Sequence, residues 1–484
     1  MSDMTGPFGG ADPQLQGKKA TVLGLAREGE AVSKFLVGQG ALVTATDLKD
    51  EDQLQPVLER LAGLPLRYLL GGHPEEVLDC DVLFVSPGVP LDAPILVEAR
   101  RNKLLLSSEA RLFCHLCPAP IVGVTGSSGK TTTCTLVAEI FEASGRRVFL
   151  GGNIGSPLIG RLADIRGSDV VVMELSSFQL DFFGAVLDAE PGGDLVAPLF
   201  PAGGWSPSVA CVLNITPNHL DRHPTMEAYI TAKRNILVHQ AEGDHAVLSW
   251  DSALVRSLAG QGAAEVGFFS VREPVSHGAY LRGDTLVLQS AARTKEICPL
   301  DDVRLRGEHN VSNALAACAL ADAVGVEPQT MAEVIRAFGG VEHRLEPACL
   351  VNGVWYYNDS IATSPERAMA ALRSFQEPIV LLAGGRDKHL PWDEWAELVS
   401  RKAVRVIAFG EAAGLIQGVV DRLGARAPPL HHAESVAEAV RLAHELAEPG
   451  QVVLFSPGGT SFDAFRDYEE RGQEFKRLVR ALSC

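Results

Sequence analysis

The sequence predicts an α/β protein built from doubly wound, mostly parallel sheets, and three observations predict it. Short β-rich apolar runs alternate with longer amphipathic stretches along most of the chain, the pattern of parallel strands joined by crossover helices. These runs fall into three series with boundaries near residues 119 and 341, the first marked by the Pro-rich segment Cys117-Pro118-Ala119-Pro120. Hydrophobic residues make up 46% of the 484 positions and charged residues 21%, which supplies several ordinary cores and excludes wholesale disorder.

In the first series, residues 21–24, 41–47 and 82–86 read as strands, each followed by a helix-compatible segment. The second series holds 121–125, 148–150, 170–174, 209–215 and 246–250. The third holds 354–357, 379–383, 404–409 and 452–456. The expected modules are therefore 18–119, 120–341 and 342–484, preceded by a disordered tail over 1–17. A Pro- and Gly-dense string over 188–207 reads as an irregular loop with no chemistry attached.

Lys plus Arg number 43 against 60 Asp plus Glu, a formal net charge of −17. That balance argues against a nucleic-acid or anionic-membrane partner, either of which needs a basic surface. Phosphorylated small molecules remain open, because a few local cations and a helix N-terminus can hold them. The nine cysteines are scattered, and Cys114 and Cys117 form a lone CxxC with no second pair at zinc spacing. Residues 1–16 lack the apolar core of a signal peptide, and no apolar run approaches the roughly 20 residues that span a bilayer. The expectation is a cytoplasmic protein.

The strongest local signal is Thr125-Gly126-Ser127-Ser128-Gly129-Lys130-Thr131-Thr132, set between an apolar strand and a helix-compatible run. Glycines let backbone N–H groups turn inward around phosphate oxygens, Lys130 brings charge to the β- and γ-phosphates, and the Thr131 hydroxyl can ligate Mg²⁺. The strict phosphate-loop pattern has Gly where this chain has Val124, so the loop is a variant. Alone it says only that a nucleotide binds. Glu174 ends the apolar run 170–173, one crossover away, where a carboxylate is placed for magnesium. Residues 214–233 follow another strand and crowd His219, Asp221, Arg222 and His223 together; an imidazole there could join Glu174 and Thr131 around a metal. In the first series Gly24-Leu25-Ala26-Arg27-Glu28-Gly29 is a GxGxxG variant, and Asp47 ends the next strand, which by itself suggests a dinucleotide site.

Taken together these strings resemble the Mur ligases, the ATP-dependent amide-forming enzymes of peptidoglycan precursor synthesis. The resemblance runs from about residue 18 to the end through SPGVP (86–90), TGSSGKTT (125–132), GGNIG (151–155), ELSSFQL (174–180) and NHLDRH (218–223). It continues through GEHNVSNALAA (307–317), EHRLE (342–346), NDSIATSPE (358–366), GGRDK (384–388) and SPGGTSFDAF (456–465). The implied fold has an N-terminal Rossmann-like module for a UDP substrate, a central P-loop ATP-binding α/β module and a C-terminal Rossmann-like module for the incoming amino acid. The implied reaction adds D-glutamate to UDP-N-acetylmuramoyl-L-alanine through an acyl phosphate, with small-molecule partners only and a monomeric chain. SSFQL and SPGGTSFDAF favour that branch, and the DNPR string usual in the diaminopimelate- or lysine-adding ligases does not occur. The alternatives are another Mur-family or folylpolyglutamate synthase-like ligase, a nucleotide-binding protein without catalysis, or, on the Gly24–Gly29 turn alone, a dehydrogenase.

The resemblance also implies roles for single residues. Arg27, Glu28, Asp47, Ser86, Gly88 and Asn153 would bind the UDP substrate, Asn153 near the reacting phosphate. Gly126 to Thr132 would bind ATP, with Asn310, Asn313 and Arg344 around adenine, ribose or the hinge beneath them. Asp359 would reach the nucleotide across a closed cleft. Lys130, Glu174, His219 and Lys233 would be catalytic, with Thr131, Glu174, His219 and a carbamylated Lys233 turned toward Mg²⁺. Thr363, Lys388, Ser461 and Phe462 would bind D-glutamate, with Tyr468 where a family phenylalanine often lies. Ile361 stands where some members have Lys.

Overall fold

A fully buried strand of sequence IVGVT, Ile121–Thr125, lies inside the central sheet, and its continuous apolar character is what a parallel strand covered on both faces requires. The computed structural model describes residues 15–184, 204–218, 222–290, 293–305, 307–388 and 390–482. Among them three sheets form, in agreement with the three series read from the sequence.

The first sheet contains β1 (Lys19–Leu23), β2 (Leu42–Asp47), β3 (Leu66–Leu70), β4 (Val82–Val85) and β5 (Leu105–Ser107), all parallel in the order β3-β2-β1-β4-β5. The order reverses between β1 and β4, which opens a crevice at the strand ends where such folds take ligands. The second sheet contains β6 (Ile121–Thr125), β7 (Val148–Gly152), β8 (Val170–Glu174), β9 (Val209–Val212), β10 (His245–Ser249) and β11 (Glu265–Ser270). Beyond them lie β12 (Gly278–Arg282), β13 (Thr285–Gln289) and β14 (Thr294–Pro299), giving the order β14-β13-β12-β11-β10-β9-β6-β8-β7. The β12–β13 and β13–β14 pairs are antiparallel, an extension that the parallel reading does not anticipate. Its five- and six-residue strands bury at most three residues in a row and are too short to stand out in the sequence.

These two sheets belong to one unit, which runs through Val303 and takes in Glu308–Ala337. Phe84, Leu112 and Phe113 share one apolar cluster with Ile121, Phe149, Leu158 and Val171. The change of sheet near residue 119 is thus no break in the core. The Ser108 hydroxyl caps the helix Glu109–Leu116 that carries the chain from one sheet to the other.

The second unit comprises Arg304–Gly307 and the chain from Phe338. Its sheet contains β15 (Glu346–Val351), β16 (Val354–Asn358), β17 (Ile379–Gly384), β18 (Ala403–Phe409), β19 (Leu430–Ala433) and β20 (Val452–Gly458), in the order β15-β16-β20-β17-β18-β19. Only β15 runs antiparallel to its neighbour. Side chains alternate across the sheet, so Leu381 packs with Trp392 and Trp395 on one face while Val380 and Leu382 pack with Phe455 and Phe475 on the other. Among the described residues no helix is long and apolar enough to cross a membrane.

Candidate active site

The β6 strand delivers the chain to Gly126-Ser127-Ser128-Gly129, and the helix Lys130–Ala143 begins directly after it. Gly129 has φ +82°, and a Cβ there would lie 2.3 Å from Asn313 Oδ1, so both the backbone and the neighbour require glycine. The loop is fastened from outside. Ser127 N–H donates to Asn214 O (2.9 Å), Ser128 N–H to Asn214 Oδ1 (2.9 Å), and Asn214 Nδ2 back to Ser128 O (3.1 Å). The Ser127 hydroxyl lies 3.0 Å from both Thr216 O and the Tyr229 hydroxyl. Lys130 Nζ folds back onto Gly126 O at 2.9 Å.

Strand β8 pairs beside β6 and sets Glu174 opposite Val124. The Glu174 side chain is only 3% exposed, with Oε2 accepting from Thr131 Oγ1 (2.7 Å) and Oε1 from Asn153 Nδ2 (2.8 Å). Asn153 N–H also donates to Glu174 O (2.8 Å), so the turn after β7 is held at this point. Lys233 comes from the helix Met226–Val238, capped by the Thr225 hydroxyl, and is 1% exposed. Its Nζ donates to Gly126 O (3.0 Å) and Thr125 Oγ1 (3.2 Å) and sits 4.7 Å from the Tyr229 ring centroid. Burial first, then the nearby Lys130 cation, holds the Lys233 amine well below its usual basicity.

The hydroxyl of Thr131 and the carboxylate of Glu174 are hard oxygen donors side by side, a set that fits Mg²⁺. No group of three or more His, Cys, Asp or Glu gathers among the described residues. Mg²⁺ does not need one, since it usually keeps waters and substrate phosphates in its shell. His219 and Asp221 lie outside the described residues, whereas His223 is buried with Nε2 3.0 Å from Ser177 Oγ.

In the first sheet, Leu25 N–H donates to Asp47 Oδ2 (2.7 Å) and Lys49 N–H to Oδ1 (3.0 Å). Ser86 Oγ donates to Gly24 O (2.7 Å) and Gly88 is exposed beside it. Gly29 is required here, because a Cβ would meet Gly24 O at 1.9 Å. Arg27 donates to Gly155 O across to the central sheet. Glu28 points inward, accepting from Gln179 Nε2 at 2.9 Å, and burial pushes its carboxyl upward. A buried Glu28 fastens the turn to the segment after β8 instead of lining its open side.

Asn310 and Asn313 lie on the helix Glu308–Ala323, with Asn313 against Gly129 of the phosphate loop and Asn313 Nδ2 donating to Asn310 Oδ1 (3.1 Å).

In the second unit, the loops after β16, β17 and β20 converge. Gly458 N–H donates to Ala362 O (2.8 Å), next to Thr363, and Arg386 and Thr460 exchange backbone hydrogen bonds (2.9 and 2.8 Å), two residues before Lys388. Ser461 is buried, Phe462 is 61% exposed, and Tyr468 is half-buried against His343. The sequence gives no sign of Arg471, a fully buried guanidinium that donates to Ser360 Oγ (3.0 Å), Ser360 O (2.8 Å) and Gly459 O (3.1 Å). It ties the β16 and β20 loops together. Arg344 lies in the turn before β15, beside Asp359. Asp359 is buried, accepting from Leu345 N–H (3.2 Å) and Ser456 Oγ (2.8 Å), and burial pushes its carboxyl up to about 7.

Three family descriptions match this chain: a Mur ligase MurD-like N-terminal domain over 18–106, a Mur ligase middle domain over 124–192 and 201–321, and a Mur ligase glutamate ligase domain over 343–459. The chain is 42% identical over 469 residues to the UDP-N-acetylmuramoylalanine–D-glutamate ligase of Symbiobacterium thermophilum, covering 96% of this chain and 98% of the relative. It is 41% identical over 470 residues to the enzyme of that name in Geotalea uraniireducens, covering 97% and 98%. Among solved structures, the UDP-N-acetylmuramate-alanine ligase MurC of Thermotoga maritima aligns with a TM-score of 0.55 at 18% identity, covering 96% of this chain and 99% of that one. The pseudomurein peptide ligase type C of Methanothermus fervidus aligns at 0.52 and 17%, covering 96% and 100%. At such identities these two structures speak for the fold alone.

The Asp359 environment sets a direction for pH dependence. Between the ordinary carboxylate range and about pH 7, the folded chain keeps a proton that the unfolded chain has released, so stability falls as pH rises through that window. Asp359→Asn removes this term. Its unfolding temperature should exceed that of the parent chain near pH 8, with the gap closing near pH 4. Parallel pH profiles from differential scanning calorimetry would contradict the assignment.

Proposed function

This chain belongs to the Mur ligase family, and on that premise we propose that it joins D-glutamate to the L-alanyl carboxylate of UDP-N-acetylmuramoyl-L-alanine, cleaving ATP to ADP and phosphate. The observation that carries this reading is similarity over nearly the full length to D-glutamate ligases, at 42% identity, combined with the junction of Lys130, Thr131, Asn153, Glu174 and Lys233 at the phosphate loop. The ligase reaction needs an activated acid, because a carboxylate is a poor electrophile toward an amine in water. Transfer of the γ-phosphoryl group to the carboxylate gives an acyl phosphate; attack by the glutamate amine then releases phosphate from a tetrahedral intermediate.

Two anions meet in the first step, so charge neutralisation is the dominant requirement. Lys130 leaves its contact with Gly126 O for the phosphates, and the loop N–H groups from Gly126 to Thr132 cradle them. Mg²⁺, which Thr131 and Glu174 would hold, supplies further neutralisation at the transferring phosphoryl group. Asn153 orients Glu174, and His219 joins the same set. Asn310, Asn313, Arg344 and Asp359 serve the nucleotide, while Arg27, Asp47, Ser86 and Gly88 serve the UDP-sugar, with Glu28 fastening its turn. Thr363, Lys388, Ser461, Phe462 and Tyr468 receive D-glutamate at the strand ends of the third sheet. The chain acts on these small molecules as a cytoplasmic monomer, with modules at 18–119, 120–341 and 342–484.

Lys233 carries a carbamate in this reading. A neutral amine adds to the carbon of CO₂ and loses a proton, giving an anion that attracts Lys130 and whose oxygens would serve Mg²⁺. Burial beside Lys130 supports this, because both disfavour the charged ammonium form.

Phosphate release with UDP-N-acetylmuramoyl-L-alanine and ATP should depend on D-glutamate and not on L-glutamate or L-lysine. Release that follows L-lysine instead would overturn the substrate assignment. Lys233→Ala should lose on the order of a hundredfold or more in kcat, comparable to other lost electrostatic groups, and recover in part with short added carboxylates. Full activity without any carboxylate would remove the carbamate.

A further inference from the structure

Beside the turn assigned to the UDP-sugar, a histidine stands that the reaction described above does not use. His73 follows Gly71 and Gly72 in the loop after β3, and its ring is half-buried. Its Nδ1 lies 2.8 Å from Thr46 Oγ1, and the same hydroxyl lies 3.1 Å from Gly72 O. A carbonyl only accepts, and a threonine hydroxyl has a single proton. Thr46 therefore donates to Gly72 O and accepts from His73, which places the imidazole proton on Nδ1. Burial holds the ring below its ordinary basicity, against the pull of Asp47, so the neutral form carries a free lone pair on Nε2. That atom makes no hydrogen bond among the described residues, yet it is not among the buried unpartnered atoms, so it reaches solvent.

The surroundings say what it meets. Thr46 O accepts from Gly24 N–H (2.8 Å) and Asp47 O from Gly72 N–H (3.1 Å), so the Gly24 turn, the end of β2 and the His73 loop form one hydrogen-bonded rim. In doubly wound folds the acid at the end of β2 usually meets a ribose. Here each Asp47 oxygen already accepts a backbone N–H. Next to it Leu48 presents an apolar side chain that is 71% exposed. The rim thus offers an apolar face and, in His73 Nε2, an acceptor that bonds no described residue.

We propose that His73 is a specificity residue for the uridine end of the substrate, its Nε2 accepting a hydrogen bond from a uridine donor. The inference rests on the assignment of the UDP-sugar to this sheet. Two donors fit, the uracil imide N3–H and the ribose 2′-hydroxyl, and they are separable by analogues.

The test is calorimetric binding of UDP to the full chain and its variants. His73→Asn keeps an amide N–H near the place of Nδ1 and lacks a counterpart of Nε2, whereas His73→Gln reaches the Nε2 position. His73→Asn should weaken UDP binding roughly tenfold, the size of one lost hydrogen bond, and His73→Gln should stay within about threefold. KM for ATP and for D-glutamate and the thermal midpoint should not move. Either N3-methyl-UDP or 2′-deoxy-UDP should bind the parent chain and His73→Asn equally, and whichever does identifies the donor. The ¹⁵N shifts of the parent chain should report the Nδ1–H tautomer, with Nε2 the nitrogen perturbed by UDP. Unchanged UDP affinity in His73→Asn, sensitivity retained with both analogues, or an Nε2–H tautomer would each overturn the inference. A parent chain that does not bind UDP at all would instead overturn the assignment of this sheet.

Discussion

Glu174 receives a hydrogen bond from Thr131 on one carboxylate oxygen and from Asn153 on the other, so a single buried acid fixes the start of the phosphate-loop helix, the end of β8 and the turn after β7. The positions of the other groups follow from this junction. The parallel pairing of β6 with β8 brings the acid to the loop, and the buried lysine from the helix Met226–Val238 closes the remaining side. The Lys130 ammonium, the Lys233 side chain and the Glu174 carboxylate then share a site in which Glu174 and Lys233 are both buried. In such surroundings electrostatic terms are far larger than in water, which suits a site that must bring polyphosphate and carboxylate together.

The same unit joins the nucleotide-binding segment to the first sheet through polar contacts as well as through a shared core. Gln179 lies in the short helix Ser177–Leu180 just after Glu174, completes the cap of that helix with its side-chain carbonyl oxygen, and donates its amide to Glu28. Arg27 and Glu28, adjacent in the Gly-rich turn, thus both bond to the central sheet. A substrate held by that turn has its orientation fixed relative to the phosphate loop by ordinary packing. In the second unit Arg471 does comparable work, since an internal cation bonded to three oxygens makes the loops after β16 and β20 one rigid surface.

What was legible in the sequence is what local chemistry dictates. The three sheets follow from alternating apolar runs, and the phosphate loop follows from glycines, Lys130 and Thr131 within eight residues. Glu174 is readable as an acid ending an apolar strand. Contacts made over long sequence separations are not readable in this way. Tyr229 reaches Ser127 across 102 positions, and Arg471 reaches Ser360 across 111, with nothing in either local string to announce it. The edge strand β3 also escapes, because no residue in it is fully buried and it lacks the continuous apolar run of a covered strand, and β12–β14 escape because their buried runs are at most three residues long. Glu28 shows a subtler limit: its place in the turn is evident from sequence, but the direction of its side chain is set by Gln179, 151 residues away.

The central claim is that this junction transfers a phosphoryl group to a carboxylate and does not merely bind nucleotide. The most direct measurement labels the L-alanyl carboxylate of UDP-N-acetylmuramoyl-L-alanine with ¹⁸O and analyses the inorganic phosphate formed during ligation by mass spectrometry. Passage through an acyl phosphate requires that one carboxylate oxygen leave with phosphate, so the account predicts phosphate carrying a single ¹⁸O for every amide bond formed. Unlabelled phosphate alongside labelled amide product would show that the acid is never phosphorylated, and would contradict it.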